Sequence, residues 1–144
     1  APPTITPTVD LATVNGRDVF AFCDDSSFGL PKPPVLNAGD YIDIYWAWFA
    51  GTQQQVQDHI DAASHELRVN GTQIPVLPAH QEPIRSAQGS YVVYWYVPYG
   101  PLVAGEYEIT YVVTWSRTIF DRRDNFGPGT GIPFEQQTCS FTVR

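Results

Sequence analysis

The stretch Gly105–Phe120 reads GEYEITYVVTWSRTIF and decides the fold class. Apolar and aromatic side chains occupy every second position from Tyr107 to Trp115, and polar side chains fill most of the positions between them. A period of two is typical of a β-strand with one face in the core and the other in water. The stretch therefore predicts a long, half-buried antiparallel strand.

The same alternation recurs along the chain. It appears in DVFAFC (18–23), GDYIDIYWAWF (39–49), YVVYWYVPYG (91–100) and TCSFTVR (138–144). In ELRVNGTQIPV (66–76), two strand-like runs flank Asn70-Gly71, a pair that favours a hairpin turn. With Thr72 the pair also matches a glycosylation sequon. Proline-rich breaks separate these segments, and the whole pattern predicts an all-β, antiparallel sandwich of about seven strands.

One segment departs from the β pattern. TQQQVQDHIDAASHEL (52–67) carries Val56, Ile60 and Ala63 at helical spacing, and Thr52 with Gln55 forms a capping-box pattern. A short amphipathic helix from about 53 to 63 is predicted as an insert between strands. Asp58, Asp61 and His65 near its end could bind a metal on one face, although the solvated face of an amphipathic helix is the favoured explanation.

Length and charge limit the classes of function. The chain has 144 residues, a formal net charge of −7 and only 8 Lys and Arg residues. This size suits one domain, and the scarcity of basic residues argues against a nucleic-acid partner. The sequence has no apolar run long enough to insert into a membrane. Residues 1–13 are rich in Pro and Thr and predict a linker or N-terminal extension, or else a frayed terminus, ahead of a domain over residues 14–144.

Two cysteines, Cys23 and Cys139, lie near opposite ends of the chain. An even count favours one disulfide and an oxidising, extracellular or cell-surface location. The bridge would close most of the chain into a loop and contribute about 4–5 kcal/mol by the chain-entropy argument. Two buried free thiols are the alternative.

PLVAGEYEITYVV (101–113) carries a Leu-x-x-Gly-x-Tyr pattern at Leu102, Gly105 and Tyr107. The pattern resembles the approach to strand F in immunoglobulin-like and fibronectin-type domains, where it builds a tyrosine corner. VLNAGDYIDIYW (35–46) resembles the turn into strand B of bacterial immunoglobulin-like domains. The resemblance implies an Ig-like sandwich in which the Tyr107 hydroxyl bonds to nearby backbone. Ile109 stands where an antibody domain has cysteine, so a Cys23–Cys139 bridge would differ from the usual one.

No catalytic or cofactor motif stands out, so we expect a non-catalytic protein without an organic cofactor. The loop FDRRDNFGPGTG (120–131) carries Asp121, Asp124 and Asn125, whose side-chain oxygens could bind Ca²⁺ together with backbone carbonyls. Its spacing is not that of an EF-hand, and an ordinary glycine-rich loop explains the same residues.

The aromatic surplus is the main indication of function. The four tryptophans are in phase with aliphatic residues and are predicted to point into the core. That phase leaves Tyr94 and Tyr96 on the outer face of their strand. In Ig-like sandwiches the second strand lies beside the fifth, so the resemblance implies that Tyr45 and Phe49 lie near them, and the four residues form a candidate ligand or partner patch. Either the helix covers this patch or the patch is an interface.

We therefore expect a secreted or surface-anchored Ig-like module with a structural, adhesive or protein-interaction role. A protein partner or a surface assembly is the expected ligand. The alternative is a carbohydrate-binding module in which Tyr45, Tyr94 and Tyr96 stack against a glycan.

Overall fold

The computed structural model describes residues 16–30 and 32–144. Within them lie ten strands, which are β1 Arg17–Phe20, β2 Ile42–Ala50, β3 Ala63–Val69, β4 Thr72–Ile74, β5 Arg85–Ala87, β6 Ser90–Tyr99, β7 Gly105–Trp115, β8 Ile119–Phe120, β9 Asn125–Phe126 and β10 Phe134–Val143. The same part of the chain contains one α-helix, α1 (Gln53–Ala62), and two single-turn 3-10 helices, Ser26–Phe28 and Pro78–His80. The predicted linker over residues 1–13 lies outside the described residues.

The strands form a β-sandwich. Sheet A has the order β1-β2-β6-β5 and sheet B the order β10-β7-β3-β4, while β8 and β9 form a separate hairpin. The inner faces of the two sheets meet in one core, where the ring centroids of Trp46 on β2 and Tyr111 on β7 lie 4.6 Å apart. The prediction of a mostly β protein with one short helix is confirmed.

The prediction of a purely antiparallel sandwich is wrong for sheet A, which contains one parallel strand pair. β1 runs parallel to β2, with Arg17 beside Ile42 and Phe20 beside Tyr45. The connection between the two strands first crosses to sheet B, where Leu36 bridges to Val143 of β10. Because the chain makes this detour before it returns, β2 enters sheet A in the same direction as β1. The strand count exceeds the predicted seven because several strands have only two or three residues.

The phase predicted for the long strands is confirmed. On β7 the inward residues Tyr107, Ile109, Tyr111, Val113 and Trp115 are all buried. The inward residues of β2 are buried too, and so is Trp95 on β6. Each large apolar side chain buried in this way contributes roughly 1.5–3 kcal/mol, so these alternating strands supply most of the core.

Two turns have the backbone geometry or the hydrogen bond that their sequences predict. Asn70 and Gly71 adopt positive φ values of 50° and 84° between the paired residues Val69 and Thr72. This is the two-residue hairpin that the Asn-Gly pair predicts. At the start of β7, the Tyr107 hydroxyl accepts a hydrogen bond from the backbone N–H of Val103 at 3.0 Å, the contact that a tyrosine corner requires.

Helix α1 packs against β2 and β6 of sheet A, β7 of sheet B and β8. The Thr52 hydroxyl accepts a hydrogen bond from the backbone N–H of Gln55, and the Gln55 side chain accepts one from the backbone of Thr52, so the predicted capping box is present. The buried side of the helix consists of Val56, His59 and Ala62.

His59 shows where the buried side of the helix points. Its ring stacks on Trp48 at a centroid distance of 4.3 Å, and its Nδ1 accepts a 2.9 Å hydrogen bond from Nε1 of Trp115. Trp48 and Trp115 belong to the inner faces of the two sheets. The hypothesis that the helix covers the outer aromatic patch is therefore wrong, because its buried side faces the core.

The predicted disulfide between Cys23 and Cys139 is present. Beside it, the Asp24 carboxylate accepts hydrogen bonds from the Thr138 hydroxyl and the Ser140 backbone, and it pairs with Lys32. Burial alone would raise the pKa of Asp24, but these hydrogen bonds outweigh it and hold the pKa well below its usual value. The disulfide and this carboxylate together fix the segment after β1 to β10.

Candidate functional site

Six aromatic rings form a continuous row on the outer face of sheet A. The row, called here the aromatic strip, runs in contact order through Phe28, Phe20, Tyr45, Tyr96, Tyr94 and Phe49. Centroid distances between neighbouring rings lie between 5.4 Å for Phe20–Tyr45 and 6.3 Å for Tyr94–Phe49. All four residues of the predicted patch belong to this strip.

Strand alternation and register place these rings together. Tyr45 lies directly opposite Tyr96 across the β2–β6 ladder, and Phe49 lies opposite Val92. Phe20 lies beside Tyr45 on the other side, because β1 pairs in parallel with β2. Residues two apart on a strand share a face, so the strip crosses from β1 through β2 to β6, follows β6 from Tyr96 to Tyr94 and returns to β2 at Phe49.

The ring planes restrict how a ligand can use the strip. The Tyr45 and Tyr96 planes are 25° from parallel at a centroid distance of 5.6 Å, and the Tyr94 and Tyr96 planes are 15° from parallel at 6.0 Å. Two coplanar rings at these distances would overlap at their hydrogens, so the rings are offset and turned toward one another. The strip therefore presents ring edges and phenolic hydroxyls rather than a flat platform.

The strip is open to solvent. Phe49 and Phe28 at its two ends are 50% and 47% exposed, and the three tyrosines are partly exposed. Partial burial raises the pKa values of Tyr45 and Tyr96, and the nearby Asp18 carboxylate raises both further. Both phenols therefore stay protonated at neutral pH and can donate hydrogen bonds.

Guanidinium groups surround the Phe49 end of the strip. Arg85 on β5 places its guanidinium carbon 4.6 Å from the ring centroid of Tyr94, which is cation–π geometry. Arg122 and Arg123 line a concavity of about 170 Å³ next to Phe49. None of these three arginines forms an ion pair with any residue in 16–30 or 32–144.

Carboxylates lie at the opposite end. Asp18 and Asp43 are register neighbours on β1 and β2, two residues away from the Phe20–Tyr45 contact. Burial raises the pKa of Asp43, and the negative charge of Asp18 raises it further. Neither carboxylate forms an ion pair with a described residue. The outer face thus changes from negative to positive along the direction of β2.

The candidate calcium ligands lie in the β8–β9 hairpin. The Asp121 carboxylate accepts hydrogen bonds from the backbone N–H groups of Arg123 and Asp124, both at 2.8 Å, so it shapes the turn. Asn125 lies opposite Phe120 in the short ladder. Among the described residues, no group of three or more His, Cys, Asp and Glu side chains is placed to hold a metal ion.

Two histidines belong to the core rather than to a solvated helix face. His65 lies on β3, where its Nδ1 and the Tyr111 hydroxyl are 2.8 Å apart. Burial lowers the pKa of His65 to about 4 and that of His59 well below its usual value. With Nδ1 of His59 accepting from Trp115, its proton resides on Nε2.

Sequence reasoning missed three members of the outer face. Phe20 and Phe28 come from the segment around the disulfide, and Arg85 comes from a segment that had been interpreted as a proline-rich break. Their own sequence patterns do not indicate which strand they join. The pairing of β1 and β5 with the two long strands brings them onto this face.

No protein-family model matches the chain, and no curated protein or solved structure is significantly similar to it. Among the described residues, no helix is long and apolar enough to span a membrane.

Proposed function

We propose that this chain is a non-catalytic interaction module that binds a protein partner through the outer face of sheet A. The observation that carries the proposal is the aromatic strip, six rings in contact with one another whose two ends are about half exposed. Contiguous apolar surface of this kind marks interaction sites on soluble domains. Tyr and Arg, which make up much of this face, dominate the energetic centres of protein interfaces.

The proposal extends to the type of domain and its location. An extracellular, Ig-like module is supported by the two-sheet sandwich, by the Tyr107–Val103 hydrogen bond and by the disulfide. The parallel β1 is a departure from the antiparallel pattern that the resemblance implies. In a secreted or surface-anchored protein, such a module has a structural or adhesive role.

The tyrosine row also suits a second candidate, a carbohydrate-binding module. Tyr45, Tyr96 and Tyr94 follow one another in a line and carry partly exposed hydroxyls that a glycan could contact. The protein reading is favoured because the tyrosine faces, which a sugar ring would stack on, are turned toward neighbouring rings.

A random peptide library displayed on phage tests the proposal, because such selections converge on surfaces suited to protein recognition. The proposal predicts peptides that bind the wild-type domain and lose at least about tenfold in affinity toward the Phe49→Ser variant, a loss of about 1.4 kcal/mol. Phe134→Ser is the matched control, since Phe134 on β10 is 51% exposed, close to the 50% of Phe49, but lies in sheet B.

Peptides that bind the Phe49→Ser and Tyr96→Ser variants as tightly as the wild type would contradict the proposal. A parallel titration with soluble glycans, followed by tryptophan and tyrosine fluorescence, separates the two candidates. If glycans bind the wild type but not Tyr96→Ser, and no peptide binds at the strip, the chain is a carbohydrate-binding module and not a protein-binding one.

A further inference from the structure

The outer face of sheet A has opposite charges at its two ends. Asp18 and Asp43 lie beside the Phe20–Tyr45 contact, while Arg85 lies on β5 opposite Val92, which itself faces Phe49. Phe49 lies six positions after Asp43 on β2, which is about 20 Å along an extended strand. The aromatic strip therefore connects an acidic corner to a basic corner of the same face.

The basic corner contains three of the chain's few basic residues. The chain has eight Lys and Arg residues, and three of them, Arg85, Arg122 and Arg123, gather around the Phe49 end without an ion pair to any described residue. Asp121 lies in the same hairpin, but its carboxylate accepts the backbone N–H groups of the turn. Three guanidinium groups therefore remain for an outside carboxylate.

The acidic corner carries two carboxylates that have no cationic partner among the described residues. Asp18 and Asp43 are adjacent across the β1–β2 ladder, and like charges in adjacent positions repel. Burial raises the pKa of Asp43, and this repulsion raises it further. A guanidinium from outside the chain would relieve the repulsion.

A two-fold axis that lies in the plane of the interface, perpendicular to the line from Asp18 to Arg85, turns a second copy over onto the face and exchanges the two corners. A second copy docked about such an axis brings its basic corner onto the acidic corner of the first copy, and the reverse contact forms at the other end. A closed two-fold interface must be self-complementary in this way. The tyrosines at the centre of the strip then lie near the axis, where ring edges and hydroxyls of the two copies meet.

We infer that the partner of the aromatic strip is a second copy of this chain, bound face to face with Asp18 of each copy against Arg85 of the other. This inference rests on the proposed function of the face and specifies its ligand. The face is about 19 Å wide, from four strands at about 4.8 Å spacing, and about 30 Å long, from nine residues at about 3.4 Å each. Two such faces in contact bury at most about 1,100 Å² together. That area lies at the small end of specific interfaces, so the dimer is weak and reversible.

Sedimentation of the full chain over concentrations up to about 1 mM tests the inference. The expected result is a concentration-dependent dimer that weakens between about 0.05 M and about 1 M salt, because its end contacts are ionic. Phe49→Ser weakens the dimer, whereas the matched Phe134→Ser leaves it unchanged. The melting temperature of each variant confirms that it is folded.

A charge exchange makes the test specific. Asp18→Arg alone and Arg85→Glu alone place like charges at both ends of the dimer, and each weakens association by at least about tenfold. A mixture of the two variants restores attraction at both ends, so the mixed dimer forms with nearly wild-type affinity. Both substituted residues are exposed, so neither change disturbs the core.

A chain that stays monomeric up to about 1 mM overturns the inference. So does a dimer that neither charge reversal weakens, or one that the mixture fails to restore. The proposed function is tested separately. If the chain is monomeric but peptides bind it at the strip, the partner is not a second copy, and the proposal that the strip is an interaction surface still stands.

Discussion

Tyr45 of β2 and Tyr96 of β6 lie directly opposite each other on the outside of sheet A, with ring centroids 5.6 Å apart and planes 25° from parallel. This pair joins the two long strands at the centre of the aromatic strip. Phe20 continues the row on one side and Tyr94 on the other. The outer face of sheet A therefore carries an ordered row of aromatic side chains, contributed by the long strands β2 and β6 and by the short strand β1.

The Tyr45–Tyr96 contact should contribute to stability as well as to shape. In a double-mutant cycle with Tyr45→Ala and Tyr96→Ala, we expect a coupling free energy of about 0.5–1.5 kcal/mol, because offset aromatic pairs contribute that much beyond the area they bury. Urea unfolding of the four proteins measures it. Strictly additive losses would show that the two rings do not interact in solution.

The position of helix α1 predicts a contrast between two substitutions. Val56 is fully buried on the inward side of the helix, so Val56→Asp leaves an unpaired charge in the core and should cost at least about 3 kcal/mol of unfolding free energy. Phe49→Asp lies on the open face and should change that free energy by less than about 1 kcal/mol. The reverse order, measured by urea unfolding, would place the helix over the strip instead.

The disulfide should be a major source of stability, because Cys23 and Cys139 are 116 positions apart in the sequence. By the chain-entropy argument, replacing both by serine lowers the free energy of unfolding by about 4–5 kcal/mol. Guanidinium unfolding of the oxidised protein and of the double variant measures the loss. An unchanged midpoint would mean that the bridge does not restrain the unfolded chain.

The buried histidines predict a dependence of stability on pH. Burial lowers the pKa of His65 from 6.5 to about 4, so the folded chain holds it neutral while the unfolded chain protonates it near pH 6.5. Its contribution is complete above pH 6.5 and declines as the pH falls toward 4. The full loss is about 3 kcal/mol, of which about 1 kcal/mol falls between about pH 7.5 and about pH 5.5.

His65→Gln separates this contribution from that of the other titrating groups. The wild type should lose about 1 kcal/mol more than the variant over that pH interval, because glutamine does not titrate. His59 has the same sign of effect but is present in both proteins, so it cancels in the comparison. Equal losses in the two proteins would mean that His65 is not held neutral by burial.

The sequence predicts the long strands and their faces well. The alternation in β2, β6 and β7 separates core from surface residue by residue, because a strand has only two faces. Asn70-Gly71 specifies its own turn for an equally local reason. The four residues of the predicted patch meet on one surface because β2 pairs with β6. Alternation predicts their phase, whereas the pairing of the two strands was expected from the resemblance to Ig-like domains.

The remaining features depend on contacts between distant segments. Four residues of β1 alternate in the same way whether the strand pairs in parallel or antiparallel, so its direction could not be predicted. The apolar side of α1 shows that the helix must be buried, but it does not indicate against which surface. His59, whose polar ring suggests a solvated position, decides that question by stacking on Trp48 and bonding to Trp115.

The most direct test of the central claim, that the outer face of sheet A is the interaction surface, is a map of amide chemical shifts in the ¹⁵N-labelled chain. The chain is titrated first with the tightest peptide from the selection and then with unlabelled copies of itself. Shift changes are expected to concentrate on β1, β2, β5 and β6, with the largest around Tyr45, Tyr94 and Tyr96. Changes confined to sheet B, with none on those strands, would contradict it.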